Sequence, residues 1–420
     1  NLQFSEDPLP VFHSLQKKYS SGLVTVPTVG AGTVNTEFEI LTGMRQHDFG
    51  VSEYPYKTVL KSKMSESICT DLKKLGYSTH AVHNNEATFY GRNTVFSNIG
   101  FDTFCSMEYM NGLTDSPNGW SNDDVLSREI MKTLDSTSGP DFTMAITVQS
   151  HGKYDGIALD DPTIKVTGAP EGKEQAYEYY VNEIHEVDRM IDTLIKELSN
   201  RKEETVLVLY GDHLPSLDIQ KDDLSNANLY QTQYVVWDNM NLKKKTKNLH
   251  AYQLYAEVLD RIQIHEGMIT KYHQQTKHRS KLYLTGLTTL SYDLLYGDNY
   301  AYDGENPFKQ TELQMGTEPV KLTSVQKTKS GYRVVGSGFT PYCKVYYDGT
   351  LVESEWISSE CLQLQDEFEL DEADKKDSGE PETEVTEPRD VPNAFVVEVQ
   401  SDDGVVLSST QAYPASQVKK

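Results

Sequence analysis

A chain of 420 residues with a formal charge of -24 is too long for one ordinary core and repels nucleic acid and anionic lipid over most of its surface. No run of about 18 apolar residues occurs, and the opening "NLQFSEDPLP" has neither the basic nor the apolar region of a leader. The composition therefore predicts a soluble chain of two domains with no nucleic-acid partner, and the missing initial methionine predicts a mature or cut-down product.

The first distinctive stretch is "GAGTVNTEFEILTGM", residues 30–44, a glycine-rich turn ahead of a short helix. One threonine suffices to cap a helix, yet both Thr33 and Thr36 stand at this entrance. A tight turn with a cap is one reading. The other is a hydroxyl in the positive field of a helix N-terminus, which favours an alkoxide or a bound phosphate.

Residues 1 to about 315 alternate short apolar strands with amphipathic helices, the pattern of an α/β layer fold with a largely parallel sheet. Strands are predicted at "STHAVHNN" (78–85), "FTMAITVQSH" (142–151) and "TVLVLYGDH" (205–213), each running from apolar residues into His, Asn or Asp. Polar groups at the carboxyl ends of parallel strands point into the crevice where such sheets bind ligands. The spacing of Tyr180, Ile184, Val187, Ile191, Leu194, Ile195 and Leu198 predicts a crossover helix over 174–202, on which His185 reads as structural or solvent-facing. Another helix is predicted over roughly 250–264. The basic "KKKTK" at 243–247 reads as a solvated loop, with contact to anionic headgroups as the alternative.

From about residue 316 to 420 the period becomes that of strands joined by Asp-Gly turns, predicting a small antiparallel β-sandwich. It resembles immunoglobulin-like domains with a Gly-Ser-Gly-Phe turn. The acidic, Pro-containing stretch 366–392 reads as a loop of that domain, with an acidic calcium site as the alternative. None of the four cysteines forms a Cys-x-x-Cys pair; Cys343 and Cys361 are either a bridge within the β region or two free thiols.

"YGDHLPSL" (210–217) delivers Asp212 and His213 together at a strand end. The pair suits a divalent metal, and equally a turn with a surface histidine. With "HNNEATFYGRN" (83–93), "GFDTF" (100–104), "VQSHGKYDG" (148–156) and the glycine-rich turn, it forms an ordered set over residues 1–300 that resembles the lipoteichoic acid synthase family. These are phosphoglycerol transferases of the alkaline phosphatase/sulfatase-like superfamily. The resemblance implies an alkaline-phosphatase-like sheet flanked by helices. It also implies that Thr33 is the nucleophile attacking phosphatidylglycerol, that Thr33, Asp212 and His213 hold a metal, and that His83, Asn85, Tyr90, Arg92 and His151 line the glycerol-phosphate pocket. Tyr90 stands where a tryptophan is familiar.

This set is chemically coherent. Phosphoryl transfer requires positioning and neutralisation of charge, Arg92 can grip two phosphate oxygens, and His151 or His83 can steady the anion or protonate the leaving alkoxide. Two oxygen donors and one imidazole favour Mn2+ or Mg2+; Zn2+, whose catalytic sites also use three protein ligands, is the alternative. The partners implied are the phosphatidylglycerol headgroup and polyglycerol phosphate, at the extracellular face of a Gram-positive-type cell membrane reached through a segment absent from this chain.

One departure stands out. The family's glutamate ligand, on a strand upstream of Thr33, has no counterpart here, so either the first strand is missing or the chain is a degenerate relative that binds teichoic acid without turnover. Sulfatase chemistry is disfavoured, because no cysteine lies in C/S-x-P-x-R. A phosphoethanolamine transferase or phosphodiesterase of the same superfamily is the enzymatic alternative.

Overall fold

The computed structural model describes residues 2–50, 53–365, 368–370 and 387–419. Strands and helices alternate through the first three quarters: β1 (Gln3–Phe4), α1 (Pro10–Lys18), β2 (Ser20–Thr25), α2 (Thr33–Thr42), α3 (Ile68–Lys73), β3 (Ser78–His83), α4 (Arg92–Asn98), β4 (Thr103–Ser106) and α5 (Val125–Asp135). There follow β5 (Asp141–Ile146), β6 (Val166–Thr167), α6 (Glu174–Asn200), β7 (Val206–Tyr210), β8 (Gln231–Asp238), β9 (Leu249–His250), α7 (Ala251–Arg261), α8 (Met268–Gln275), α9 (Tyr283–Leu295) and β10 (Gln314–Met315). Beyond these lie strands β11 (Lys321–Thr328), β12 (Gly331–Ser337), β13 (Cys343–Tyr347), β14 (Thr350–Val352), β15 (Ser354–Ser358), β16 (Cys361–Leu364), β17 (Ala394–Gln400), β18 (Val406–Ser409) and β19 (Tyr413–Pro414).

Among the described residues the α/β part is built on two four-stranded sheets, with β1 and β6 paired separately, instead of the one largely parallel sheet that the strand pattern predicts. One has the order β10-β4-β3-β5 and is parallel throughout. The other has the order β7-β8-β2-β9, with β8 antiparallel to both neighbours. The strand at 205–213 therefore belongs to a different sheet from those at 78–85 and 142–151. Apolar runs reveal burial but not pairing partners, and the antiparallel β8 decides the matter here.

Strand composition follows this placement. Along β8, Val235 and Trp237 face one core and Tyr234 and Val236 another, the period-two alternation of a strand covered on both sides. The long α6 packs against both α5 and α1, and so lies across elements of both sheets. Its Tyr179 and Met190 are buried along with the predicted Leu194 and Leu198, while Ile184, Val187, Ile191 and Ile195 are half-buried. His185 donates from Nδ1 to the carbonyl of Pro8, 2.9 Å away, a structural role. Lys245 and Lys247 of the basic loop both pair with Glu257.

The C-terminal strands form two antiparallel sheets, β11-β12-β16-β15 and β14-β13-β17-β18 with β19 beside β17. Val325, Val334 and Leu362 from one and Val345, Phe395 and Val397 from the other are buried. Cys343 and Cys361 are free thiols on different sheets, which removes the bridged alternative. This unit is tied to the α/β part by Thr340 Oγ1 donating to Glu108 O (2.6 Å) and by Tyr109 Oη to Ser408 Oγ (2.7 Å). Most of the acidic stretch, 366–367 and 371–386, lies outside the described residues. No helix among the described residues is long and apolar enough to cross a membrane.

The ten-residue α2 carries an unusual burden. Nine of its residues are buried, Glu37 and Glu39 among them. Glu39 accepts a 3.0 Å hydrogen bond from the Gln46 amide, but burial pushes its pKa up to about 8. An unfolded glutamate ionises near 4.3, so between these values the folded chain binds the extra proton and stability falls as pH rises. Glu39→Gln removes that penalty. Its stability relative to wild type is expected to rise by up to about 4 kcal/mol between pH 5 and pH 8 in urea unfolding; a pH-independent difference would mean that Glu39 is not held protonated.

Candidate functional site

The turn after β2 prepares the site. Gly30 and Gly32 have φ of 73° and 93°, a region open to glycine. A Cβ on Gly32 would come within 2.8 Å of Thr28 Oγ1. The Gly30 amide donates to Leu214 O at 3.0 Å, joining this turn to the loop after β7.

The two threonines then take separate tasks, and neither caps the helix. Gly32 is the N-cap and Thr33 the first helical residue, with no side-chain cap bond. Thr33 Oγ1 lies 3.4 Å from His213 Nε2. Thr36, fully buried, donates from Oγ1 to the backbone carbonyl of Asp212 at 2.7 Å. The second hydroxyl thus fastens the Asp212–His213 loop to the helix that carries the first.

Asp212 and His213 themselves are half-buried. Asp212 Oδ2 lies 3.3 Å from His213 Nε2, and Oδ1 accepts from the His213 amide at 3.0 Å. No Lys or Arg among the described residues pairs with Asp212. His213 Nδ1 faces Leu214 O at 2.8 Å, so it carries the proton and leaves Nε2 with its lone pair toward Thr33 and Asp212.

His151 and His83 repeat the arrangement. His151 Nδ1 donates to Gly152 O (2.9 Å) and His83 Nδ1 to Ile146 O (2.9 Å), so each offers Nε2 as an acceptor. The rings of His151 and His213 have centroids 6.3 Å apart, nearly perpendicular. Burial, then the Arg92 charge, hold His83 well below the ordinary imidazole range. Because β5 ends at Ile146 and β7 at Tyr210, His151, Asp212 and His213 sit in loops beyond the strands and not within them.

The remaining predicted residues gather on the segment after β3. Tyr90 adopts φ 62°, stacks on Tyr54 with centroids 5.9 Å apart, and lies beneath Lys57 at 5.0 Å. Arg92 Cζ is 5.5 Å from the Tyr90 ring. Asn85 is buried and its Oδ1 accepts from the Glu86 amide at 2.8 Å. Arg92 is buried, 1% exposed, and is held by Glu37, with Nη1 left a 3.4 Å contact to Phe89 O.

Several contributors escape a reading of motifs. Asp123, fully buried, accepts from Asn84 Nδ2 (2.8 Å) and from the amides of Val148 and Gln149 (2.9 and 3.2 Å), tying the loops after β3 and β5 together. Burial raises its pKa to about 7. Trp120 donates from Nε1 to Gly152 O (2.9 Å) and its ring meets that of His151 at 5.2 Å. The signal for Trp120 was available: a tryptophan within the polar turn "SPNGWSND" has no local core to join.

A carboxylate, an imidazole nitrogen with its lone pair free and a hydroxyl form a donor set that suits a hard divalent cation. Among the described residues no group of three His, Cys, Asp or Glu side chains gathers that could hold a metal ion; the hydroxyl beside the pair is that of Thr33, 3.4 Å from His213 Nε2.

Comparison with known proteins places this geometry in a family. A putative cyclic β-1,2-glucan modification protein of Rhizobium meliloti (strain 1021) is 30% identical over 262 residues, 58% of this chain and 40% of the relative. Lipoteichoic acid synthase 2 of Bacillus subtilis (strain 168) is 23% identical over 197 residues, 46% of this chain and 29% of the relative. The chain thus spans less than half the length of these curated relatives. The fold is shared with the Streptococcus pyogenes phosphoglycerol transferase GacH in complex with sn-glycerol-1-phosphate, at TM-score 0.62 and 22% identity over 74% of this chain and 85% of that one. It is shared also with the lipoteichoic acid synthase LtaP of Listeria monocytogenes, at TM-score 0.52 and 19% identity over 63% and 68%. The Sulfatase family model matches residues 1–306, and the chain belongs to that family.

Proposed function

We propose that this protein is a metal-dependent phosphoglycerol transferase, moving glycerol phosphate from phosphatidylglycerol to a hydroxyl of a polyglycerol-phosphate chain or a glycan. The observation that carries the reading is the meeting of Thr33 with the Asp212–His213 pair, 180 residues along the chain, at 3.4 Å. The names of the relatives support it: phosphoglycerol transfer and lipoteichoic acid synthesis for the donor chemistry, glucan modification for a glycan acceptor.

Asp212, His213 and the Thr33 hydroxyl would hold the cation, with Mn2+ or Mg2+ favoured over Zn2+ by donor hardness. When bound, such an ion neutralises phosphate oxygens and lowers the pKa of a hydroxyl it touches. Thr33 Oγ1 forms a bond to phosphorus as the P–O bond to diacylglycerol breaks, giving a glycerophosphoryl-threonine. His151 Nε2, unprotonated at rest, takes the proton that Thr33 gives up and passes it to the leaving diacylglycerol alkoxide. An acceptor hydroxyl then displaces the threonine and restores it. His83, kept neutral with Nδ1–H committed to Ile146, accepts from a glycerol hydroxyl instead of donating to the anion.

Two side chains and one hydroxyl leave a hard cation short of its usual six ligands. We take one further ligand to be a carboxylate on a strand seated between the two sheets, which the described residues do not supply. In support, β5 pairs only with β3 and β7 only with β8 among the described residues, so each sheet has a free edge there. Tyr210 Oη of β7 lies 3.9 Å from Met144 Sδ of β5, which brings the two edges near one another. A membrane-borne donor puts the domain on the extracellular side, reached through such a segment.

Three outcomes test the reading. Release of diacylglycerol from phosphatidylglycerol vesicles is expected to require Mn2+ or Mg2+, and Thr33→Ala is expected to reduce it by about a thousandfold or more with folding retained; undiminished release would remove Thr33 as nucleophile. Mn2+ is expected to raise the melting temperature of the wild type but not of Asp212→Asn, since only a site present in the folded state stabilises on binding; an equal rise in both would place the ion elsewhere. Thr36→Val, which leaves the Asp212 carbonyl without its donor, is expected to lower stability by about 1–2 kcal/mol and Mn2+ affinity roughly tenfold or more in calorimetric titration; unchanged affinity would show that Thr36 does not set the geometry of the loop.

A further inference from the structure

The residue four places after Thr33 stands on the same face of α2, because positions i and i+4 of a helix lie one above the other. That residue is Glu37, 1% exposed. Its Oε1 accepts from Arg92 Nη2 at 2.5 Å and its Oε2 from Arg92 Nε at 3.2 Å, a two-pronged, fully buried ion pair. Nη1 makes only a long contact, 3.4 Å to Phe89 O. A guanidinium held by its Nε–Nη2 edge has its plane and rotation fixed, and Nη1 is the nitrogen left with only that long contact.

Other groups place this pair inside the site. Arg92 is the charge that depresses His83 after burial, and Tyr210 is pushed well above the ordinary phenol range by burial, then by Glu37 and Asp212. Arg92 opens α4 directly behind Gly91, at φ 70°, on a turn closed by the Gly91 amide donating to Thr88 O at 2.7 Å and the Asn93 amide to Ala87 O at 3.1 Å.

We propose that Glu37 is a positioning residue: it couples the guanidinium that receives the phosphate oxygens to the helix that carries Thr33, so nucleophile and anion grip keep one fixed relation. This rests on the phosphoglycerol-transfer reading above. Glu37 also balances the charge of Arg92, so the site's attraction for an anion depends on the cation at Asp212 and His213 and not on arginine alone.

The test is a double-variant cycle in the full-length protein, with steady-state transfer from phosphatidylglycerol and melting temperature read in parallel. Glu37→Gln is expected to lower kcat roughly tenfold to a hundredfold with KM changed less than about threefold, since a misplacement near 1 Å costs on that order. In the Arg92→Lys background, where no two-pronged bond forms, Glu37→Gln is expected to cost nothing more. A wild-type kcat in folded Glu37→Gln, or losses that multiply in the double variant, would overturn the proposal and leave Glu37 a part of the core. Should Glu37→Gln not fold, Glu37→Asp, shorter by one methylene, replaces it in the same cycle. Failure of the underlying reading looks different: the wild type then makes no transfer product. The same non-additivity is in that case read in calorimetric binding of sn-glycerol-1-phosphate, and absence of binding by the wild type would overturn both.

Discussion

The site depends on one clasp between distant segments. The buried hydroxyl of Thr36 donates to the carbonyl of Asp212, and the amide of Gly30 to the carbonyl of Leu214. Each bond joins the turn between β2 and α2 to the loop after β7, across a sequence separation far too large for local structure to set. A buried hydrogen bond contributes little net stability, about 1 kcal/mol, but leaving its partner unmet costs more. The clasp therefore fixes geometry in preference to adding stability. Thr33 and Asp212 then each come to His213 Nε2, at 3.4 and 3.3 Å, as its consequence.

Around that clasp the chain spends charge sparingly. An acidic protein with a net charge of -24 cannot attract a phosphodiester by its overall field. Its buried arginine is already matched by Glu37, its buried histidine is kept neutral, and no Lys or Arg among the described residues pairs with Asp212. Three imidazoles turn the same way, Nδ1 to a carbonyl and Nε2 outward. Such a set of side chains offers acceptors and lone pairs, which suits a site completed by a bound cation.

Much of this was legible in the sequence, because short motifs report local geometry. The strands ending near His83, His151 and His213 were readable from their apolar runs, and a glycine-rich turn before a helix pointed to Thr33. The division into two sheets was not readable: it follows from the antiparallel insertion of β8, whose residues "QTQYVVWD" give no sign of which strands they join. Nor could the sequence disclose that Arg92 is buried, since its partner lies 55 residues away. Thr36 looked like a redundant cap until the loop at 212 arrived beside it. Where a residue's role depends on a partner supplied by another element, composition and spacing are silent.

The central claim is that the Thr33 oxygen takes the glycerophosphoryl group during turnover. Peptide mass spectrometry of the full-length protein, quenched while it consumes phosphatidylglycerol with Mn2+ present, reads this directly. A mass increment of one glycerophosphoryl group confined to the peptide bearing Thr33, and absent from Thr33→Ala, is the predicted result. Turnover with that peptide unmodified, or with the increment on another residue, would contradict it.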